Sequence, residues 1–483
     1  MEYTSTRDSA RRVSAAEAIL TGLAPDGGLY VPTRLPKLAI RPLLGLSYAE
    51  IAYEVLGAFL PDYDADFLMG ALAETYENHF GGKEGYLVRL GDGLNALELW
   101  HGPTAAFKDY ALQLMPKLLV EAKKMLKDDS ETLILVATSG DTGSAALAGY
   151  RDVPGVKITV FYPDQGTSEL QKLQMTTQEG GNVAVFGVRG NFDDTQRGVK
   201  KAFTDAVLAE ALGKKKRKLS SANSINWGRL VPQIVYYVSS YLLLCWDGSV
   251  DFGEPVDFCV PTGNFGDIMA GWYAKAMGVP IGKLICAANK NNVLADFMET
   301  GRYNAKREFH KTSSPSMDIL VSSNLERLLW HASGSDAAVR GWMEQLAKTG
   351  EYQVDAGVMD VIRQSFCAGW ADEQDVFEEI RDTYRQHHYL TEPHTAVALR
   401  VWRRQASGRP VVVLSTASPF KFSENVLTAL EQPVVGTGFD ALKQLEAFSG
   451  QQAPAALRDL AGKPIRFTEI IDADKIVDIP LKL

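Results

Sequence analysis

From about residue 133 onward, short apolar runs alternate with longer segments whose apolar residues recur every three or four positions. The runs are rich in β-branched residues and predict strands at 133–137, 156–162, 182–188, 256–260, 283–287 and 411–414. The segments between them predict helices at 144–150, 168–178, 193–212, 230–244, 268–277 and 393–405. This alternation predicts an α/β fold, and the apolar strands predict a mostly parallel sheet with helices on both faces.

Two stretches lack this alternation. The first ~90 residues are predicted to form a mainly helical accessory region. Residues 303 to about 389 are predicted to form a helical insertion or extension on the core. The most apolar segment, 231–246, is shorter than the roughly 20 residues that span a bilayer, so it predicts a buried helix of the core.

Composition narrows the class of protein. The 483 residues include 50 Lys and Arg against 59 Asp and Glu, a net charge of −9, which disfavours nucleic-acid binding because that binding depends on phosphate neutralisation. The cysteines lack C-x-x-C spacing, so we expect reduced thiols rather than a disulfide scaffold or a metal site; they are Cys245, Cys259, Cys286 and Cys367. The first residues lack a signal-peptide pattern, so we expect a cytoplasmic protein without membrane contact.

One run of positive charge, residues 214–218 (KKKRK), stands out against this acidic background. Such a run is compatible with a nuclear address or a phosphate-binding patch. The interpretation that we favour is a solvated helix end, where cations complement the helix dipole.

Three loops that directly follow predicted strands carry small, hydroxyl and glycine residues. They are 137–144 (ATSGDTGS), 261–267 (PTGNFGD) and 415–419 (STASP). Backbone N–H groups at such strand-to-helix turns suit anions, although a single loop is equally compatible with a simple capped turn. Their predicted position at the same end of one sheet, where ligands of open α/β sheets bind, favours a binding site.

Lys108 ends an uncharged segment, His101 to Phe107 (HGPTAAF). Desolvation in such a setting lowers the pKa of a lysine and makes its amine nucleophilic, as a Schiff-base lysine requires. Taken alone, Lys108 is more typical of a surface lysine at a helix start. Combined with the anion-binding loops, it indicates pyridoxal phosphate, with the aldehyde on Lys108 and the phosphate on a glycine-rich loop.

The segment HGPTAAFKD at 101–109 resembles the lysine motif of threonine synthases. Further segments are similar to that family: 22–32 (GLAPDGGLYVP), 137–143 (ATSGDTG), 190–194 (GNFDD), 221–226 (SANSIN) with Arg229, 261–267 (PTGNFGD) and 392–398 (EPHTAVA). They follow the family's order over most of the chain. The resemblance implies the tryptophan-synthase-β type of fold, fold type II, with two lobes built on open sheets and a mainly helical N-terminal domain.

The resemblance also implies an activity and site residues. The activity is conversion of O-phospho-L-homoserine and water to L-threonine and phosphate, with pyridoxal 5′-phosphate held by Lys108. The implied cofactor residues are Gly263, Asn264, Phe265, Gly266 and Asp267 around the phosphate, with Thr416 at the pyridine nitrogen. The implied substrate residues are Ser139, Gly140, Asp141, Thr142 and Gly143 at the carboxylate, with Asn223, Ser224 and Arg229 at the phosphate.

The sequence departs from the family pattern at Ser418, where His is common, and at Phe420, where a small residue is common. These departures leave no role assigned to Ser418, and we expect His394 to have a structural role. Two alternatives stay open: a related phospho-lyase that releases 2-oxobutyrate, and a non-catalytic cofactor-binding relative. We expect a monomer, with a dimer as the alternative.

We expect an N-terminal accessory domain at 1–92 and a catalytic core at 93–430, followed by a C-terminal extension at 431–483. Within the core, the smaller lobe is expected at about 130–225. The larger lobe is the remainder, with the helical insertion at about 300–390.

Overall fold

The computed structural model describes residues 1–91, 93–164 and 167–482, so the expected domain limits at 92 and 483 lie outside the described residues. The strands are β1 Tyr3–Ser5, β2 Tyr30–Pro32, β3 Tyr86–Gly91, β4 Leu94–Glu98, β5 Glu131–Ala137, β6 Val156–Pro163, β7 Val183–Arg189, β8 Arg217–Ser220, β9 Val256–Pro261, β10 Ile281–Ala288, β11 Arg302–Asn304, β12 Glu351–Gln353, β13 Phe366–Trp370, β14 Val411–Ser415 and β15 Ile470–Asp472.

The helices are α1 Ala15–Thr21, α2 Tyr48–Phe59, α3 Ala65–His79, α4 Asp109–Leu112, α5 Met115–Met125, α6 Asp141–Tyr150, α7 Glu169–Thr176, α8 Phe192–Thr204, α9 Ala206–Lys214, α10 Trp227–Leu230, α11 Ile234–Trp246, α12 Gly266–Met277, α13 Val293–Thr300, α14 Leu325–Ser333, α15 Asp336–Thr349, α16 Ala356–Ser365, α17 Glu373–His387, α18 Pro393–Gln405, α19 Ser423–Ala429, α20 Phe439–Ser449, α21 Ala455–Arg458 and α22 Ile479–Lys482. Short 3₁₀ turns lie between several of them, including Pro315–Met317 and Pro419–Phe422.

Two larger open sheets organise the described part of the chain. One has six strands in the order β13–β10–β9–β14–β4–β3, with every neighbouring pair parallel except β3 and β4. The other has five parallel strands in the order β15–β7–β6–β5–β8. The six strands predicted from the sequence are confirmed, and they are distributed over both sheets.

Alternate strand residues belong to different apolar cores, which shows that each sheet is covered on both faces. In β9, Phe258 and Val260 belong to one cluster, whereas Cys259 between them belongs to another. In β5, Ile134 and Leu135 divide in the same way. The uniformly apolar strands of the sequence therefore have the structural cause that was predicted.

Several strands were missed because their sequences are short or polar. β3 lies at the end of the region predicted to be mainly helical, and β4 begins the predicted core. β4 buries the polar side chains of Asn95 and Glu98. β13 lies inside the stretch predicted to be helical and adds an edge to the six-stranded sheet. The helix predicted at 193–212 is divided into α8 and α9, because Asp205 caps α9 by accepting a hydrogen bond from the N–H of Leu208.

The interpretation of the 214–218 run as a helix end is wrong for its second half. α9 ends at Lys214, and β8 begins at Arg217 as an edge strand next to β5. The cations are paired with acidic groups: Lys216 with Asp129, and Lys218 with Asp128. The second half of the run therefore pairs with the acidic turn that precedes β5, while the side chains of Lys216 and Lys218 stay largely exposed to solvent.

The N-terminal region is fixed to the large sheet's helices by buried charge. Arg7 forms an ion pair with Glu326 at 2.8 Å, and Arg327 donates from Nε to the carbonyl of Tyr30 at 3.0 Å. The segment at 231–246 forms a short 3₁₀ turn, Val231–Gln233, followed by α11, and its residues are mostly buried, as predicted. Among the described residues, no helix combines the length and apolar character needed to cross a membrane.

Candidate active site

A cavity of about 990 Å³ is lined by loops from both larger sheets. The loop after β5 reaches it from the five-stranded sheet, and the loops after β9 and β14 reach it from the six-stranded sheet. The prediction that the three loops leave one sheet is therefore wrong, but their convergence on one site is confirmed. The error arose because strand order cannot be read from apolar runs alone.

Lys108 lies in this cavity, directly before α4. Its loop is held by backbone bonds to the strand-end loop after β14: Phe107 N donates to the carbonyl of Thr416 at 2.8 Å, and Ser418 N donates to the carbonyl of Ala105 at 3.1 Å. Within the loop, the buried carboxylate of Asp109 accepts from the N–H and the hydroxyl of Thr104. These bonds fix the direction from which the lysine enters the cavity.

The surroundings of Lys108 favour its neutral amine. Its side chain is only 11% exposed, and Nζ lies 3.8 Å from Oδ2 of Asp141. Burial lowers the pKa of Lys108 to about 8; Arg229 and Lys421 add to the shift, while Asp141 opposes it. The sequence-based expectation of a desolvated lysine is therefore confirmed by the position of the side chain.

The loop after β5 presents only some of its N–H groups to the cavity. The N–H groups of Gly140 and Gly143 both donate to the Thr138 hydroxyl at 3.0 Å, and neither glycine lines the cavity. The N–H groups of Ser139, Asp141 and Thr142 have no partner among the described residues, and these three residues do line it. They form a donor group at the start of α6.

The loop after β9 forms a second concave group of donors. None of the N–H groups from Gly263 to Asp267 has a partner among the described residues. Phe265 adopts a left-handed conformation with φ of 63°, which turns successive N–H groups toward one side, an arrangement suited to anions. A Cβ atom at Gly263 would lie 2.8 Å from the carbonyl oxygen of Ser316, so only glycine fits there without displacement.

Asp267 ends this loop with its carboxylate turned into the protein. Its Oδ1 accepts hydrogen bonds from the hydroxyls of Tyr236 at 2.7 Å and Tyr237 at 2.8 Å. Its Oδ2 is buried without a partner among the described residues. Burial raises the pKa of Asp267 to about 6, although the tyrosine bonds and Lys108 oppose the shift.

Arg229 provides an uncompensated positive charge on another side of the cavity. Its side chain is almost fully buried, and burial lowers its pKa to about 10. Nη1 donates to the carbonyl of Ala222 at 2.6 Å, whereas Nε has no partner among the described residues, and the titratable groups near the guanidinium are the tyrosines Tyr150 and Tyr236 rather than a carboxylate. Asn223 and Ser224 lie beside it on the cavity wall.

Thr416 and His394 also line the cavity. The Thr416 hydroxyl has no partner among the described residues, whereas both ring nitrogens of His394 are engaged. Nδ1 contacts the buried Glu392 at 2.5 Å, and Nε2 accepts from the N–H of Ser316 at 3.2 Å. These bonds are consistent with the structural role expected for His394. Ser418 caps a 3₁₀ turn and does not line the cavity.

Some cavity features were missed by the sequence analysis. One of them is the buried Lys421, which contacts Asp141. The criterion that identified Lys108, a lysine among apolar neighbours, also fits Lys421, which lies between Phe420 and Phe422, and could have found it. The N-terminal turn contributes residues 21–25 and Gly27 to the lining. Three distant segments of the chain also contribute exposed apolar side chains to the cavity lining; these are Leu23, Phe203, Phe309 and Val321. No sequence pattern places such distant segments together.

Comparison with protein families covers most of the chain. The pyridoxal-phosphate dependent enzyme family matches residues 89–417, and models of the threonine synthase N terminus and C-terminal region match residues 2–76 and 395–478. The threonine synthase of Pseudomonas aeruginosa is 41% identical over 88% of this chain and 90% of its own length. The chain belongs to the threonine synthase family.

Some relatives of this threonine synthase family member are considerably longer than this chain. Proteins called threonine synthase-like 1 from Macaca fascicularis and Homo sapiens are 41% and 40% identical over 88% of this chain. The chain spans 59% of their length.

Solved threonine synthases share the whole architecture. The crystal structure of a PLP-bound threonine synthase from Brucella melitensis aligns with a TM-score of 0.89 and 38% identity, covering 100% of this chain and 99% of that one. The yeast threonine synthase aligns with a TM-score of 0.88 and 32% identity over 100% and 98% of the two chains. The fold-type-II α/β prediction is therefore confirmed.

Proposed function

We propose that this chain is a threonine synthase that converts O-phospho-L-homoserine and water to L-threonine and phosphate. The observation that carries the proposal is the cavity itself, which combines one buried lysine amine with three separate groups of unpaired anion-binding donors. Pyridoxal phosphate has one phosphate, and the substrate has one phosphate and one carboxylate. The number and kind of donor groups therefore match the anionic groups of both molecules.

The donor chemistry fits pyridoxal phosphate. We assign its phosphate to the five free N–H groups of Gly263, Asn264, Phe265, Gly266 and Asp267, because they open a twelve-residue helix, α12. Lys108 would hold the aldehyde carbon through its amine. Thr416, whose hydroxyl is free, would face the pyridine nitrogen with a neutral group rather than a carboxylate.

The substrate groups take the remaining donors. We assign the carboxylate to the N–H groups of Ser139, Asp141 and Thr142 in the loop after β5. Gly140 and Gly143, which we expected in the same role, support this loop instead through Thr138. The substrate phosphate is assigned to the last donor group, formed by Arg229, Asn223 and Ser224.

Proton transfer is assigned to Lys108. The bound cofactor supplies an electron sink for charge that develops on the substrate carbons. The Lys108 amine, whose pKa is lowered to about 8, accepts and returns protons at the α, β and γ carbons near neutral pH. Phosphate leaves from the γ carbon toward Arg229, and water adds at the β carbon, so the atoms of substrate and water balance those of threonine and phosphate.

The test is incubation of the purified protein and pyridoxal phosphate with O-phospho-L-homoserine. We expect threonine and inorganic phosphate in equal amounts, and no turnover by Lys108→Ala. The matched control is Lys124→Ala, because Lys124 is 67% exposed and lies outside the cavity lining. Formation of 2-oxobutyrate would instead establish the phospho-lyase, and cofactor binding without either product would establish a non-catalytic relative.

We further propose the expected organisation of the chain: an N-terminal domain at 1–92, a catalytic core at 93–430 and a C-terminal extension at 431–483. The protein is proposed to act in the cytoplasm, since its cysteines have free thiols in the structure. We propose a monomer, which light scattering on the purified protein would distinguish from a dimer.

A further inference from the structure

Lys421 is a second lysine at the site, and it is fully buried. Its Nζ donates to Oδ1 of Asp141 at 2.7 Å and to the carbonyl of Thr104 at 2.9 Å. A fully buried ammonium is costly unless it is paired, so this position requires a reason. Asp141, only 2% exposed, provides the partner.

This ion pair connects the two sheets. Lys421 follows β14 of the six-stranded sheet, and Asp141 begins α6 behind β5 of the five-stranded sheet. The bond to Thr104 adds the loop that contains Lys108. Gln171 of α7 completes the arrangement by donating to the same Oδ1 of Asp141 at 2.8 Å. The carboxylate is therefore held in one orientation by side chains from two elements, the 3₁₀ turn after β14 and α7.

The orientation of Asp141 determines how much negative charge lies next to the Lys108 amine. The second oxygen of Asp141, Oδ2, is 3.8 Å from Nζ of Lys108. The charged groups that face Lys108 are Asp141 and Asp267, which favour its protonated form, and Arg229 and Lys421, which disfavour it. Of these, Lys421 is the one that is bonded to Asp141 itself, so it controls how much of that negative charge is available to Lys108.

We propose that Lys421 is a positioning residue that neutralises and orients Asp141, so that this carboxylate does not become the full counter-ion of the Lys108 nitrogen. The proposal rests on the proposed function, in which Lys108 carries the cofactor. It has a second consequence at the loop after β5. With its charge neutralised by Lys421, Asp141 no longer opposes a substrate carboxylate at the neighbouring N–H groups of Ser139 and Thr142.

The test is a pH titration of the visible absorbance of the cofactor-loaded protein without substrate. Lys421→Met removes the neutralising charge and is expected to raise the midpoint pH by roughly one to three units, the effect of one close charge. Asp141→Asn is expected to lower the midpoint, because Lys421 then repels a proton without compensation. The double variant lacks both charges and is expected to return near the wild-type midpoint.

This order of midpoints separates positioning from a purely structural role. An unchanged midpoint in Lys421→Met, or a double variant that is no closer to wild type than either single variant, would overturn the proposal. Failure of the proposed function has a different signature: the wild-type protein would acquire no visible absorbance or would form no threonine. Neither signature depends on the order of midpoints.

A measurement without cofactor keeps the proposal testable if Lys421→Met does not fold. Asp141→Asn removes the carboxylate that is bonded to the buried Lys421 ammonium and leaves only the more distant Asp109 as an acidic neighbour, whereas the double variant removes both charges of the pair. We expect the double variant to have a higher Tm than Asp141→Asn in the unloaded protein, since an unpaired buried charge is more destabilising than the loss of a pair. Equal Tm values would show that the two residues are not coupled and would overturn the proposal.

Discussion

Arg229 offers a sharp test because binding and stability should change in opposite directions. Its guanidinium is buried, has one bond to a carbonyl and leaves Nε without a partner among the described residues. The substitution Arg229→Met removes the charge and the donors while it keeps an unbranched side chain of similar reach. The substrate phosphate would lose its charged partner, and the free protein would lose an incompletely paired charge.

The expected loss of activity follows from the bonds that the guanidinium can make. Hydrogen bonds to charged groups contribute about 1.5–3 kcal/mol each, so two such bonds to phosphate contribute about 3–6 kcal/mol. At 1.36 kcal/mol for each factor of ten, kcat/KM for O-phospho-L-homoserine should fall by roughly 10² to 10⁴. Phosphate release measures this loss, and product inhibition by inorganic phosphate should weaken in parallel.

The stability of the unloaded protein should not fall. Replacement of buried charges by apolar groups is often neutral or stabilising by about 1–4 kcal/mol, so the Tm of Arg229→Met should equal or exceed that of wild type. Arg327→Met is the matched control. Arg327 is equally buried, and burial also lowers its pKa to about 10, but it donates to Tyr30, Asn324 and Ile225. Its removal leaves these acceptors unpaired, and its Tm should fall clearly.

Two results together would show that Arg229 does not bind the substrate phosphate. One is a Tm that falls as far in Arg229→Met as in Arg327→Met. The other is a kcat/KM within a factor of about three of wild type, which is under 1 kcal/mol at 1.36 kcal/mol per decade. Such a protein would use Arg229 to support the fold and would bind the substrate phosphate elsewhere.

Three further changes have defined outcomes. The rate at which the unloaded protein attaches pyridoxal phosphate should rise with pH until about 8 and then level, because the pKa of Lys108 is about 8 and only its neutral form reacts; a rate independent of pH between 6 and 9 would contradict this. Asp267 binds its proton more tightly when folded, with a pKa of about 6, so wild type should gain stability as pH falls from 7 toward 5, and Asp267→Asn should lose that gain in thermal unfolding. Gly143→Ala should lower Tm by the equivalent of about 1–3 kcal/mol, because its Cβ would lie 2.5 Å from Thr138, whereas Gly213→Ala, with no atom nearby, should not.

The fold was predictable wherever a buried strand is almost entirely apolar. β14 matches its sequence pattern closely, because residues covered on both faces carry little polar signal that competes, and β9 does so with one buried exception, Asp257. β8 was not predictable, because an edge strand composed of RKLS has the composition of a surface helix end. Assignment of the strands to two sheets was also out of reach, since it depends on contacts between distant segments.

The candidate site was predictable where one local motif suffices. Lys108 and the 261–267 loop carry their chemistry within a few consecutive residues, and both line the cavity. Gly140 and Gly143 show the limit of local motifs. Their N–H groups donate to the Thr138 hydroxyl instead of a ligand, and the sequence does not distinguish these two uses. Lys421 was missed because its importance comes from Asp141 at the start of α6, a carboxylate 280 residues earlier in the chain that no local motif connects to it.

The edge strand β15 has a consequence for the order in which the chain can fold. Asp472 pairs with Arg189 at the outer edge of β7, 283 residues earlier in the sequence. At a synthesis rate of about 5–20 residues per second, the ribosome needs roughly 15–60 s to produce the intervening chain. During that time β7 presents unpaired N–H and carbonyl groups to any extended segment nearby. The smaller sheet is therefore completed late, and the nascent chain must protect that edge until its own last strand arrives.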